Sequence, residues 1–371
     1  MSSAFDHLSL PQILQAATDL QVQGIDLCVF RKDGLRKDHV ATHLPYEQFG
    51  LETAKQTIDL FNERGLRLSV GAFENLIGGD PVHRRRNQNH LLELIRIAYL
   101  LGGDQNDVTV GTFVGYNHEL GNQDGGFEKN LEEYQKVFTP IIKYAELMGV
   151  TVVYENCPME GWQPATYPTT YHNLPATLAA RKLMYELIPS KAHGEIYDPS
   201  HDVWQHTDPV AVIEAMDMTR LKRIHVKATR RLNNTARTHW GGMYPMQYVD
   251  PTLAESAGVP IPASSWDRHH YEAMLPGFGG TDSMDWRAFV ETLMRKGFDG
   301  PFEIENEAAN SKATGNQQAV MQGCKATILF LAPMLWPLSE NGFIYPHSQH
   351  KPLRHLVMKD VPIVTMEDLL A

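Results

Sequence analysis

The sequence predicts an α/β protein built as a (β/α)8 TIM barrel, and three observations carry that prediction. Short runs rich in β-branched and aromatic residues alternate with helical stretches of ten or more residues, the pattern of parallel βαβ units. No GxGxxG turn follows the first strand, which removes the main signature of an open, doubly wound sheet. Polar residues gather at the C-terminal ends of several different strands, where a closed barrel assembles its active site.

Each element can be justified in order. Only SSAFDH precedes the first helix, SLPQILQAATDL (9–20), so the barrel's first strand is expected to be short, irregular or missing. GIDLCVF (24–30) is the first clear strand. LETAKQTIDLFNERG (51–65) follows as a helix, with Leu51, Ala54, Ile58 and Phe61 on one stripe and Gly65 as its stop. LRLSVGAF (66–73) is a strand, NQNHLLELIRIAYLLGG (87–103) a helix and DVTVGTFVG (107–115) a strand. A long helix covers 127–149, with Pro140 expected to kink or divide it. VTVVYEN (150–156), GEIYDPSH (194–201), LKRIHVKA (221–228) and GPFEIENE (300–307) complete seven strands, and the last helix runs over 315–335. Residues 1–335 thus form one barrel domain.

Two segments break this rhythm. Residues 229–281 are a long insertion after the barrel's seventh strand, rich in aromatics and imidazoles (HWGGMYPMQY, SWDRHHYEAMLPGFGG), and are expected to cover the mouth. Residues 336–371 carry prolines and histidines but no core helix, and read as an arm packing on its own barrel or on a partner.

Composition narrows the class. A hydrophobic fraction of 43% suits a globular protein with a full core. A net charge of −11 argues against nucleic acid and anionic membrane as partners, and the RRR at 84–86 reads as a solvated helix face. Cys28, Cys157 and Cys324 are far apart and odd in number, which gives no disulfide framework and makes a reducing cytoplasm the default. No signal peptide and no membrane span are evident.

The chemistry lies at four strand ends. Glu155 closes VVYEN, Asp198 closes EIYD, His225 lies in RIHVK and Glu305 lies in FEIEN. Singly, each has an ordinary structural role: a surface acid, a helix N-cap, a core histidine. Together, on four successive strands of a closed barrel, they point at one place near the axis. Three carboxylates there cannot all stay ionised without a strong cation. A divalent ion held by Glu155, Asp198, His225 and Glu305 supplies it; such a shell suits Mn²⁺, expected first, or Mg²⁺, Co²⁺ or Zn²⁺. Glu303 shares a face with Glu305 but should lie deeper, where an unpaired acid is costly.

YENCPMEGW (154–162), YDPSHDVWQHTDPV (197–210), RIHVKA (223–228), LPGFGGTDSMDWRAF (275–289) and GFDGPFEIENE (297–307) resemble the signature blocks of the sugar phosphate isomerase/epimerase family, which belongs to the xylose-isomerase-like TIM barrels. The resemblance spans residues 9–335 and implies the same four metal ligands, with Glu155 and Glu305 as the catalytic acid/base pair. It also places His201 and Lys227 at positions that approach substrate oxygens. The HVHAKD block usual in the family reads RIHVKATR here.

The activity this implies is a metal-dependent sugar isomerase or epimerase, working by proton abstraction next to a carbonyl through an enediolate. His118, from GYNHE, is a further candidate for holding a hydroxyl; Trp204, Trp240 and Trp266 are candidates for stacking on a sugar. The alternative is a lyase that eliminates an aglycone from a 3-oxo-glycoside after the same first step, as the large subunit of a C-glycoside deglycosylase. A homo-oligomer is expected in the first case, a hetero-oligomer with a small subunit in the second. An abasic-site endonuclease is disfavoured, because SVGAFEN (69–75) lacks histidine and the chain is acidic.

Overall fold

The computed structural model describes all residues except 36–40, 160–171, 232–250, 260–270, 279–283, 309–315, 337, 340–341 and 344–350. Seven parallel strands curl side by side: β1 (Gly24–Cys28), β2 (Arg67–Gly71), β3 (Val110–Thr112), β4 (Val152–Glu155), β5 (His193–Tyr197), β6 (Leu221–Val226) and, after an excursion, a seventh at Phe302–Ile304. Helix α1 (Leu10–Leu20) precedes β1; α2 (Leu51–Asn62), α3 (Pro81–Leu100), α4 (His118–Gly121), α5 (Gly126–Met148), α6 (Leu178–Leu187), α7 (Pro199–Trp204) and α8 (Pro209–Ala215) lie between successive strands, with Trp286–Arg295 before the seventh strand and Gln317–Leu335 after it.

The expected first strand is replaced. Ser2–Phe5 form a 3-10 turn that fills the seam between the two edge strands. On one side the Met1 nitrogen donates to the Ile304 carbonyl at 2.8 Å; on the other the Cys28 N–H donates to Ser2 Oγ at 2.7 Å. Edge groups that would otherwise be orphaned thus find partners without a ladder.

Several strands are shorter than expected, each for a local reason. The third ends at Thr112 because the Val114 and Gly115 N–H groups turn to Asn173 Oδ1, at 3.3 and 2.8 Å, instead of to a neighbouring strand. The fifth ends at Tyr197, where Asp198 caps α7 and Pro199 occupies its first turn. Helix α3 begins earlier than expected, at Pro81, with Asp80 Oδ1 accepting from His83 N–H at 2.9 Å. Helix α5 runs unbroken through Pro140, flanked by the buried Val137, Phe138, Ile141 and Ile142, so the expected division does not occur.

The insertion leaves the barrel as a hairpin, β7 (Ala228–Arg231) antiparallel to β8 (Tyr271–Met274), immediately after Lys227. Trp240 and Trp266 lie outside the described residues. The C-terminal residues 351–371 lie along the outside of the barrel. Asn62 exchanges two hydrogen bonds with the Leu353 backbone at 2.8 Å each, Arg96 Nε donates to the Val361 carbonyl at 2.7 Å, and Leu353 and Met366 are buried in the main core. Among the described residues no helix is long and apolar enough to cross a membrane.

Candidate metal centre

Strand β6 organises the interior. Alternation puts Arg223, His225 and Lys227 on its inward face, one above another, so the barrel axis carries three basic side chains at three depths. At the deepest level Arg223 Nη1 donates to Asp26 Oδ1 at 2.7 Å and Ser69 Oγ at 2.8 Å, and stands 3.2 Å from Glu303 Oε1. Gly111 on β3 makes room, since a Cβ there would collide with the guanidinium. Glu303 therefore does lie deeper than Glu305, and is paired as a buried acid must be.

Above this level the four predicted ligands come together. Glu155, Asp198, His225 and Glu305 are all buried, and each offers a donor atom within 4.8 Å of the others. His225 Nδ1 lies 3.4 Å from both Glu155 Oε1 and Glu305 Oε2, while its Nε2 faces Glu303 Oε2 at 3.5 Å. Asp198 has two tasks: Oδ1 caps α7 by accepting from Ser200 N–H at 2.8 Å, and Oδ2 turns to the cluster. Asn156 clamps the Asp198 backbone from both sides, accepting from its N–H at 2.8 Å and donating to its carbonyl at 3.0 Å.

Lys227 and His201 sit among these groups. Lys227 Nζ is 2.9 Å from Glu305 Oε2, 3.0 Å from Asp198 Oδ2 and 3.1 Å from Glu307 Oε2. His201 Nε2 is 3.2 Å from Asp198 Oδ2 and 3.4 Å from Glu155 Oε1. The Trp204 indole N–H donates to Thr229 Oγ1, which ties α7 to the root of the insertion. Its ring meets His201 edge to face at 5.6 Å between centroids. His118 Nε2 is 3.0 Å from His172 Nδ1, and burial lowers its pKa to about 4.

The electrostatics follow from burial and charge. Burial works to raise the Glu155 pKa, but His225 and His201 outweigh it and hold the carboxyl below its ordinary range. Burial likewise opposes ionisation of Glu305, and the Lys227 ammonium overcomes it. Asp198 goes the other way, raised chiefly by burial despite Lys227. The imidazole of His225 and the ammonium of Lys227 are disfavoured by burial yet pushed well above their usual values, His225 by Glu155 and Glu305, Lys227 by Asp198 and Glu305.

Does this donor set fit a cation? Asp198, Glu305 and Glu307 all pair with the one ammonium of Lys227, and Glu155 stands beside them. Such a buried excess of negative charge is costly unless a cation offsets it. Three carboxylate oxygens and one imidazole nitrogen are a suitable shell for a hard or borderline divalent ion, so the residues fit. Sequence reasoning missed Glu307, Asn156 and the Arg223–Asp26 pair. Glu307 had a signal, being two residues beyond Glu305 on the same face; the pairing of Asp26 with a residue 197 positions away had none.

A sequence profile of the family described as xylose isomerase-like TIM barrel matches residues 14–327. Among solved structures, the probable 3-DHS dehydratase AsbF from Bacillus anthracis is 15% identical with a TM-score of 0.55, over 89% of this chain and 96% of that one. An L-ribulose 3-epimerase is 16% identical with a TM-score of 0.52, over 88% of each chain. The D-psicose 3-epimerase of Clostridium cellulolyticum H10, solved with D-tagatose, is 13% identical with a TM-score of 0.52, over 88% of this chain and 93% of that one. At these identities the likeness is one of fold. No curated protein sequence matches. The profile covers most of the chain, and the chain belongs to the xylose isomerase-like TIM barrel family.

Proposed function

We propose that this protein is a divalent-metal-dependent isomerase or epimerase of a small keto sugar. The observation that carries the reading is the meeting of Glu155, Asp198, His225 and Glu305, from four neighbouring strands, with donor atoms within 4.8 Å of one another. Structural relatives named as ketose 3-epimerases lend support to the substrate class.

A bound divalent ion at these four residues would polarise a sugar carbonyl as a Lewis acid and acidify the neighbouring C–H. The chain's own groups do the rest. Glu155 and Glu305 form the acid/base pair: one carboxylate takes the proton next to the carbonyl, and the other carboxyl returns a proton to the same or the adjacent carbon. Lys227, 2.9 Å from Glu305, keeps that group ionised and ready to accept a proton. His201 and Lys227 are the donors nearest the cluster and would bind sugar oxygens. Trp204 would offer an apolar ring edge beside His201, whereas His118, turned to His172, would act only at the periphery.

The test is incubation of the Mn²⁺-loaded protein with ketopentoses and ketohexoses in D₂O. Carbon-bound deuterium in recovered or isomerised sugar is the expected result. Loss of a substituent from a 3-oxo-glycoside, without epimerisation of any free ketose, would shift the assignment to elimination. Protein that holds its ion yet exchanges no proton in any of these compounds would overturn the reading.

A further inference from the structure

We infer that Tyr197 and Asp202 are a positioning pair: they fix helix α7 to the barrel wall and so hold His201 at the metal centre. Strand alternation separates the last residues of β5, sending Asp198 inward and Tyr197 outward, where its ring meets Phe289. Helix α7 follows at once, and its Asp202 returns to that outer face, where the Tyr197 hydroxyl donates to Oδ2 at 2.5 Å. This bond closes a ring of side chain and backbone around the first turn of α7, the turn that carries His201.

The pair is built into a buried charged cluster behind the wall. Arg181, Tyr197 and Asp202 are all buried. The Arg181 guanidinium lies over the Tyr197 ring, 5.8 Å from its centroid; Nε stands 2.8 Å from Glu195 Oε2, and Nη1 donates to the Pro175 carbonyl at 3.0 Å. Burial raises the Asp202 pKa, and the Arg181 charge opposes it. Such groups add little net stability over apolar side chains of the same volume, but they accept their partners in few geometries. Asp198 has other support, since Asn156 clamps its backbone from β4. The His201 ring instead faces groups of the centre: Nε2 is 3.2 Å from Asp198, 3.4 Å from Glu155 and 3.5 Å from Lys227, and the ring hydrogen-bonds Cys157. Its orientation therefore follows that of α7. Trp204 and Gln205 tie the far end of this six-residue helix to Thr229 and the Ala176 carbonyl; Asp202 ties the part beside His201.

That His201 binds substrate rests on the sugar reading; that Tyr197 and Asp202 hold it does not. Tyr197→Phe deletes one buried oxygen and keeps the ring. In the metal-stripped full chain carrying ¹³C at histidine Cε1, the His201 signal, assigned by its loss in His201→Gln, should move or split while that of His225 stays in place. Mn²⁺ affinity should stay within about twofold of the wild type, because Asp198 keeps its other anchors. With a ketose that exchanges its proton, kcat/KM should fall on the order of 10²-fold in the wild-type background and less than about twofold in His201→Gln. A merely structural role would give the same fall in both. Should the phenylalanine variant not fold, Asp202→Asn, which keeps an acceptor for the tyrosine and removes the charge facing Arg181, is read by the same signal. If no sugar exchanges with the wild type, the sugar reading fails and the His201 signal alone decides this inference. An unmoved His201 signal, or equal losses of kcat/KM in the two backgrounds, would overturn it.

Discussion

The barrel interior has two charged levels only two residues apart along β6, and they solve the same problem differently. Below, the Arg223 guanidinium collects Asp26, Glu303 and Ser69 through Nη1, two acids on one cation. Above, Lys227 is a point charge facing Asp198, Glu305 and Glu307, with Glu155 close by. The lower level is arranged as a structural ion-pair network. The upper one sets four acids against one lysine where the lower sets two against one arginine, and that larger deficit favours taking up a metal ion. Placing a histidine between the levels, with one nitrogen toward each, links them through the His225 ring.

The strongest way to separate the levels is to remove charge from each. Glu155→Gln or Glu305→Gln should slow solvent proton exchange into substrate by ~10²–10⁴-fold, while thermal unfolding of the metal-stripped variants stays close to that of the metal-stripped wild type. Arg223→Met should do the reverse. It strands two buried carboxylates and should cost about 3–5 kcal/mol in urea unfolding, a loss that neutralising Asp26 and Glu303 to their amides should largely recover. Chelation of the upper site should lower the melting temperature, and Mn²⁺ at a hundred times its Kd should restore about 2.7 kcal/mol. Arg223→Met in the same assay should still respond to Mn²⁺ if the levels act separately. The smallest effect is expected from Trp204→Phe, which removes one hydrogen bond to Thr229 and should cost about 1 kcal/mol. Its change in KM would measure how far the insertion root is coupled to the upper level.

Much of the site was legible because it follows local periodicity. Glu155, Asp198, His225 and Glu305 are at strand ends, and a closed parallel barrel brings such ends together whatever the details. Asp198 satisfies both of its sequence readings at once, as helix cap and as cluster member, because its two oxygens point different ways. The position of Lys227 was less legible. Its spacing from His225 puts it on the inward face, but only the fold shows that it contacts the carboxylates themselves. The setting of His118 was not legible: it opens the short α4, and the structure sets it against His172, 54 positions away.

Taken alone, the chain determined the alternation of strands and helices, the weakness of the first strand and the four acidic or imidazole strand ends. These depend on hydrogen bonding and side-chain direction within a few residues. Only the tertiary structure decided that a 3-10 turn closes the seam, that Arg223 pairs with Asp26, and that Cys157 and His201 stand near Glu155. Those depend on how strands distant in sequence are staggered around the axis, where a shift of one residue would turn each side chain to the opposite face.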